Sequence, residues 1–106
     1  MNTIARLLNL LFLLTILIPA KGATLSGVVR LTATTHYFPT PGVTALTFLV
    51  DGKLACKAHK PAGYIHRWTC SWDSRSVGDG DHTITARAFS SSGALIDRTD
   101  MKMAEK

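Results

Sequence analysis

WDSRSVGDGDHTITARAF runs from Trp72 to Phe89. An aromatic residue and Asp73 end one extended run, and a Gly/Asp-rich turn follows. Asp79 and Asp81 flank Gly80, where short acidic side chains bond their own backbone and favour a turn. A new strand opens at Asp81-His82. Thr83, Thr85 and Arg87 then alternate with Ile84, Ala86 and Ala88, the period of two expected of a half-buried strand. The small alanines on the inward side predict a bulky neighbour close by, Trp68 or Trp72.

Working outward, the same period recurs on both sides, and no window shows a sustained helical period. Upstream, Tyr64 to Trp72 places Trp68, Cys70 and Trp72 on one face, so the two tryptophans are expected core aromatics. Lys60-Pro61-Ala62-Gly63 is a turn. Val43 to Val50 is the most strand-like run, with Leu46, Phe48 and Val50 pointing one way. Its other face is also largely apolar, which suits a central strand. Asp51-Gly52 then supplies the two positive-φ positions of a tight hairpin turn, and Lys53 to Ala58 returns antiparallel. Val28 to Thr34 is a half-buried strand, and Ala23 to Gly27 a short first one. His36 to Gly42, with Pro39 and Pro41, is a loop. Downstream, Ser90 to Gly93 turns into a last strand, Ala94 to Met101, and residues 102–106 form a flexible tail. Six or seven short strands with turns about every eight to twelve residues indicate an all-β antiparallel sandwich, with a small barrel as the alternative.

The first 22 residues have another character. Arg6 precedes a nearly pure Leu/Ile/Phe run from Leu7 to Ile18, then Pro19 and the small residues Ala20 and Gly22. This is the three-part layout of a secretory signal peptide, with cleavage expected after Gly22. The apolar run is shorter than the roughly 20 residues a membrane span requires, so no stable span is expected after cleavage. Residues 23–101 then form one domain. Without Arg6 and Lys21 the net charge falls from +5 to +3. The remaining cations are scattered, with a loose group at Lys53, Lys57, Lys60 and Arg67. With neither a basic helix nor a recognition motif, nucleic acid is not an expected partner.

Cys56 and Cys70 both lie in the exported part, where one disulfide is the default. They are equidistant in sequence from Gly63. A hairpin turning there would set them opposite each other. The bond would close a 15-residue loop. A redox pair would stand two residues apart, and a zinc site would need four clustered ligands.

The order of these features resembles a known family. Leu25-Ser26-Gly27 precedes an alternating strand. Gly42-Val43 leads into a Phe-bearing strand that ends in Asp51-Gly52. An aromatic strand ends in Trp72-Asp73, and Asp79-Gly80-Asp81-His82-Thr83 opens the run Ile84-Thr85-Ala86-Arg87-Ala88. The pattern is similar to bacterial immunoglobulin-like domains of surface and secreted proteins, which also occur beside catalytic domains of polysaccharide-degrading enzymes. The resemblance implies an immunoglobulin-like sandwich of about seven strands. In the family an acidic loop before the Phe-bearing strand is sometimes associated with calcium. Here residues 34–41 contain no acid, so no calcium is expected.

The chemistry-bearing residues are sparse. Asp51, Gly52, Asp81 and His82 are expected to be structural turn residues. His36, His59 and His66 are isolated, although His59 and His66 could face each other across the Gly63 turn as a weak two-ligand site. Serines are plentiful, but no Gly-x-Ser-x-Gly elbow is present, and no catalytic residue, metal or cofactor is expected. Tyr37 and Phe38, between the prolines and the preceding strand, are a possible binding loop; plugging the sandwich end is the structural alternative. The expectation is a non-enzymatic binding module, secreted, periplasmic or at the cell surface, that contacts a protein or polysaccharide. The alternative is a structural or assembly subunit that self-associates or accompanies a larger secreted enzyme. A small enzyme or metal binder built on the histidines is a third reading.

Overall fold

The computed structural model describes residues 12–37, 43–59 and 67–105. Eight strands lie in two sheets: β1 (Phe12–Ile18), β2 (Thr24–Leu25), β3 (Val28–Tyr37), β4 (Ala45–Val50), β5 (Lys53–Lys57), β6 (Arg67–Asp73), β7 (Gly80–Phe89) and β8 (Leu95–Glu105). One sheet has the order β1-β3-β6 and the other β2-β8-β7-β4-β5. All pairings are antiparallel except the short β2–β8 contact. This is an immunoglobulin-like sandwich, and alternation builds it. Each strand turns every second side chain inward, so two sheets stacked face to face enclose one apolar layer.

The layer is assembled from Leu14, Leu31 and Ala33 with Trp68, Cys70 and Trp72 on one sheet. From the other come Leu46, Phe48 and Val50, Ile84, Ala86 and Ala88, and Met103. Ala86 and Ala88 are fully buried in the same cluster as both tryptophans, where larger side chains would collide with the facing sheet. β4 lies between β5 and β7. Its outward Leu49 is therefore also buried, beside Leu54 and Thr85 in the ladder. Trp68 satisfies its one polar atom inside the core, donating from Nε1 to Thr35 Oγ1 at 3.2 Å. An indole N–H left unpaired there would carry a desolvation penalty.

The stretch after Trp72 is locked by its own side chains. The Asp73 carboxylate accepts from the backbone N–H of Arg75 and caps a short 3-10 turn, Ser74–Ser76. It also forms a two-point ion pair with the Arg75 guanidinium. Buried Ser74 donates twice to the Gly27 carbonyl, from its N–H and its hydroxyl. That ties the turn back to the start of β3.

The sandwich extends past both expected boundaries. The segment expected to be a leader contributes β1, antiparallel to β3 from Phe12↔Tyr37 to Ile18↔Thr32. The chain then crosses to the other sheet at the cis Ile18–Pro19 bond and pairs β2 with the end of β8. At the other end, residues 102–105 are strand and not tail. Gly22 donates to the Lys102 carbonyl and Ala104 to the Ala23 carbonyl, and Met103 and Glu105 are buried. The strand count is eight because β1 joins the expected seven.

Cys56 and Cys70 are bonded, with Cα atoms 6.1 Å apart, but they are not opposite residues of a hairpin. β5 pairs with β4, and β6 pairs with β3. Period-two alternation specifies a face but names no partner. The bond therefore joins the edge strands of the two sheets. Just past β5, His59 makes an isolated antiparallel bridge to Thr69 of β6. The expected turn at residues 60–63 lies outside the described residues.

Candidate functional site

The most organised polar cluster is at the β4–β5 hairpin tip. Asp51 and Gly52 both adopt positive φ, 51° and 83°, the left-handed geometry of a two-residue hairpin loop. β7 runs beside β4, so the loop lies next to the start of β7. Asp51 donates its N–H to the Thr83 carbonyl and accepts the Thr83 N–H on Oδ1 at 2.9 Å. Its other oxygen meets His82 Nδ1 at 2.5 Å. The second imidazole nitrogen, Nε2, lies 2.6 Å from the Gly78 carbonyl. Both partners are acceptors, so both ring nitrogens must donate, and only the imidazolium can do that.

The electrostatics agree. Bonding to the Asp51 carboxylate, then to the Gly78 carbonyl, raises the His82 pKa above its ordinary value. The Thr83 N–H, then His82, holds the Asp51 carboxyl below the usual range. Asp81 and Lys102 complete a small cleft of about 80 Å³ here, and Asp81 is exposed. With both nitrogens engaged, His82 has no lone pair for a metal or for general-base work. The cluster clasps two turns together.

The other singled-out residues are scattered. His59 is exposed just after β5, where it bridges Thr69 of β6, and His66 lies outside the described residues. His36 pairs with Leu13 along the β1–β3 ladder. The expected loop from His36 begins later than the sequence suggested: His36 and Tyr37 continue β3, where β1 supplies them with ladder partners, and Phe38 lies outside the described residues. Among the described residues, no group of three potential metal ligands occurs, and no helix is long and apolar enough to cross a membrane. Trp68 and Trp72 are both buried.

Two polar features had no signal in the sequence. On the outer face of the larger sheet, Thr85 donates to Asp100 at 2.6 Å and Arg98 pairs with the same carboxylate. The Thr85 hydroxyl is the main cause that lowers the Asp100 pKa. The second feature is a cleft of about 220 Å³ between the two sheets, lined by Leu14, Thr15, Ile16, Lys21, Thr99, Asp100 and Met101. Its walls come from the edge strand β1, from Lys21 and from β8. Neither could be found before the pairing of β8 with β7 and the place of β1 were known.

The sandwich resembles solved structures. An endo-β-1,4-mannanase from Thermotoga petrophila superposes with a TM-score of 0.74 at 14% identity, over 90% of this chain and 20% of that one. The chain thus spans a fifth of the mannanase. The fibronectin(III)-like modules of Clostridium thermocellum CbhA give a TM-score of 0.62 at 18% identity, covering 89% of this chain and 96% of theirs. These likenesses establish the fold. A search of curated proteins returns no match. The family profile described as bacterial Ig domain matches residues 14–86, from inside β1 to the middle of β7. With the two-sheet architecture, that match places the chain in the bacterial Ig domain family.

Proposed function

We propose that the chain is an exported interaction module, secreted, periplasmic or held at the cell surface, that acts by contact with a partner and not by catalysis. The observation that carries this reading is the Cys56–Cys70 bond, which ties the two sheets at their edges. Disulfides of this structural kind belong to oxidising compartments, and they rigidify a scaffold for presenting loops. The engaged nitrogens of His82 support the non-catalytic part. The leader-like start of the chain supports export, with removal after Gly22.

The partner is a protein or a polysaccharide, met through Tyr37 at the end of β3 with the adjoining Phe38, or through a free sheet edge. Depletion assays against insoluble polysaccharides, and cross-linking to a cell-envelope fraction followed by mass spectrometry, separate the two classes. Saturable binding without turnover is expected, weakened by Tyr37→Ala with Phe38→Ala if that pair is the contact. Measurable turnover on ester, peptide or glycoside substrates would overturn the reading. N-terminal sequencing of the exported protein tests the cut after Gly22.

A further inference from the structure

We infer that the free side of β3 is a strand-acceptor site for a polypeptide partner, opened when the leader is removed. The inference rests on the proposed cleavage after Gly22, and it selects protein over polysaccharide as the partner. A cut there falls between β1 and β2 and detaches the edge strand of the smaller sheet from the chain.

The structure shows what the vacated place accepts. β1 lies antiparallel along residues 32–37 of β3, in continuous register from Ala33 to Tyr37 and with a bulge between Ile16 and Ile18 before Thr32. With β1 gone, the N–H and C=O groups on that side lose their partners. β3 cannot shed this edge, because its Leu31 and Ala33 are fully buried core residues and its other side is bound to β6. A long unpaired edge invites pairing with another chain.

Side-chain places set the specificity. Leu14, opposite Thr35, is buried, and Ile16, opposite Ala33, packs against the core. Thr15 between them is exposed and borders the cleft between β1 and β8. Leu14 and Ile16 also line the cleft shared with Thr99, Asp100 and Met101 of β8. An incoming segment therefore needs an extended backbone and two apolar side chains two residues apart. The residue between them is free to be polar. Proline is excluded wherever an N–H must donate to β3. A polysaccharide offers no row of alternating donors and acceptors at strand spacing, so the occupant is a peptide segment.

The test uses the full chain. A specific protease sequence replaces exposed Ala20-Lys21-Gly22, the chain is folded, and the loop is then cut. A fluorescent peptide of residues 12–18 with solubilising lysine ends serves as the probe. The cut chain is expected to take up one peptide per molecule, and the uncut chain none. Uptake should raise the melting temperature over the strand-free cut chain by about 8 °C or more, the equivalent of one buried leucine. A probe carrying Leu14→Asp and Ile16→Asp should bind at least about 100-fold more weakly. If the cut chain unfolds on losing β1, the native probe should restore the β-sheet signal and the altered probe should not. Absence of uptake and of refolding, or equal uptake of both probes, overturns the inference. An exported chain that retains residues 1–22 removes the cleavage reading, while the exchange experiment still reports on the acceptor edge by itself.

Discussion

Loss of the Cys56–Cys70 bond should destabilise the domain by about 3 kcal/mol, the chain-entropy value for a 15-residue loop. For a domain whose whole stability is of the order of 5–15 kcal/mol, that is a large fraction. It corresponds to a fall in melting temperature of about 12–24 °C for a chain of this size. The structure also says where the loss appears first. β5 is an edge strand with mostly exposed or half-buried residues, paired only with β4. The disulfide ties it to β6 of the smaller sheet, and just beyond its end His59 bridges Thr69. Calorimetric melts with and without reductant, beside the Cys56→Ala/Cys70→Ala variant, give the global term. Hydrogen exchange gives the local one, with β5 amides losing protection before those of β7. An unchanged melting temperature after verified reduction would refute the reasoning, as would a uniform loss of protection across both sheets.

Three further outcomes are expected. His82 is held above its ordinary pKa of 6.5, so its contribution is complete below 6.5 and disappears as pH rises through the raised folded value. Asp51 is held below its ordinary 3.8, so its share is present above 3.8 and disappears as pH falls through the lowered value. Melting temperature should therefore decline on the alkaline side, and His82→Gln should flatten that decline; identical profiles would show that the clasp does not form. Thr35→Val leaves the Trp68 indole N–H buried without its acceptor and should cost about 1–3 kcal/mol. In a double-mutant cycle with Trp68→Phe, additive losses by denaturant titration would show that the bond contributes nothing. In the uncut chain Leu14→Ala should cost about 2–5 kcal/mol, whereas Leu17→Lys on the exposed side should stay within about 0.5 kcal/mol while disabling the leader; equal effects on stability would mean that β1 is not docked.

Much of the sandwich was legible in the sequence because alternation reports burial directly. Trp68, Cys70 and Trp72, like Leu46, Phe48 and Val50, stand two residues apart and do face inward. Asp51-Gly52 was legible because few other residues tolerate positive φ in succession. Partnerships were not. Cys56 and Cys70 have the spacing of opposite hairpin residues, yet the strand after residue 59 belongs to the other sheet. The pairing of Asp51 with His82 spans 31 positions and follows only from β4 lying beside β7. Residues 102–105 look like a loose tail until Ala23 and Gly22 supply backbone partners.

The hardest stretch is Phe12–Ile18, because two physical demands overlap on the same residues. A leader needs continuous apolarity and is indifferent to facing direction. An edge strand needs apolar side chains only at alternate positions and does better with polar ones outside. Leu14 and Ile16 satisfy both demands at once. Thr15 suits the strand, and the outward Leu17 and Ile18, 39% and 46% exposed, suit the leader. The family match beginning at Leu14 means that the domain's own pattern reaches into this segment. If the export machinery removes it, the fold loses a strand for which β3 retains the matching edge. Leu14 and Ile16 carry the sandwich's demand, whereas the exposed Leu17 and Ile18 add nothing to the core and are the positions that the proposed leader would account for.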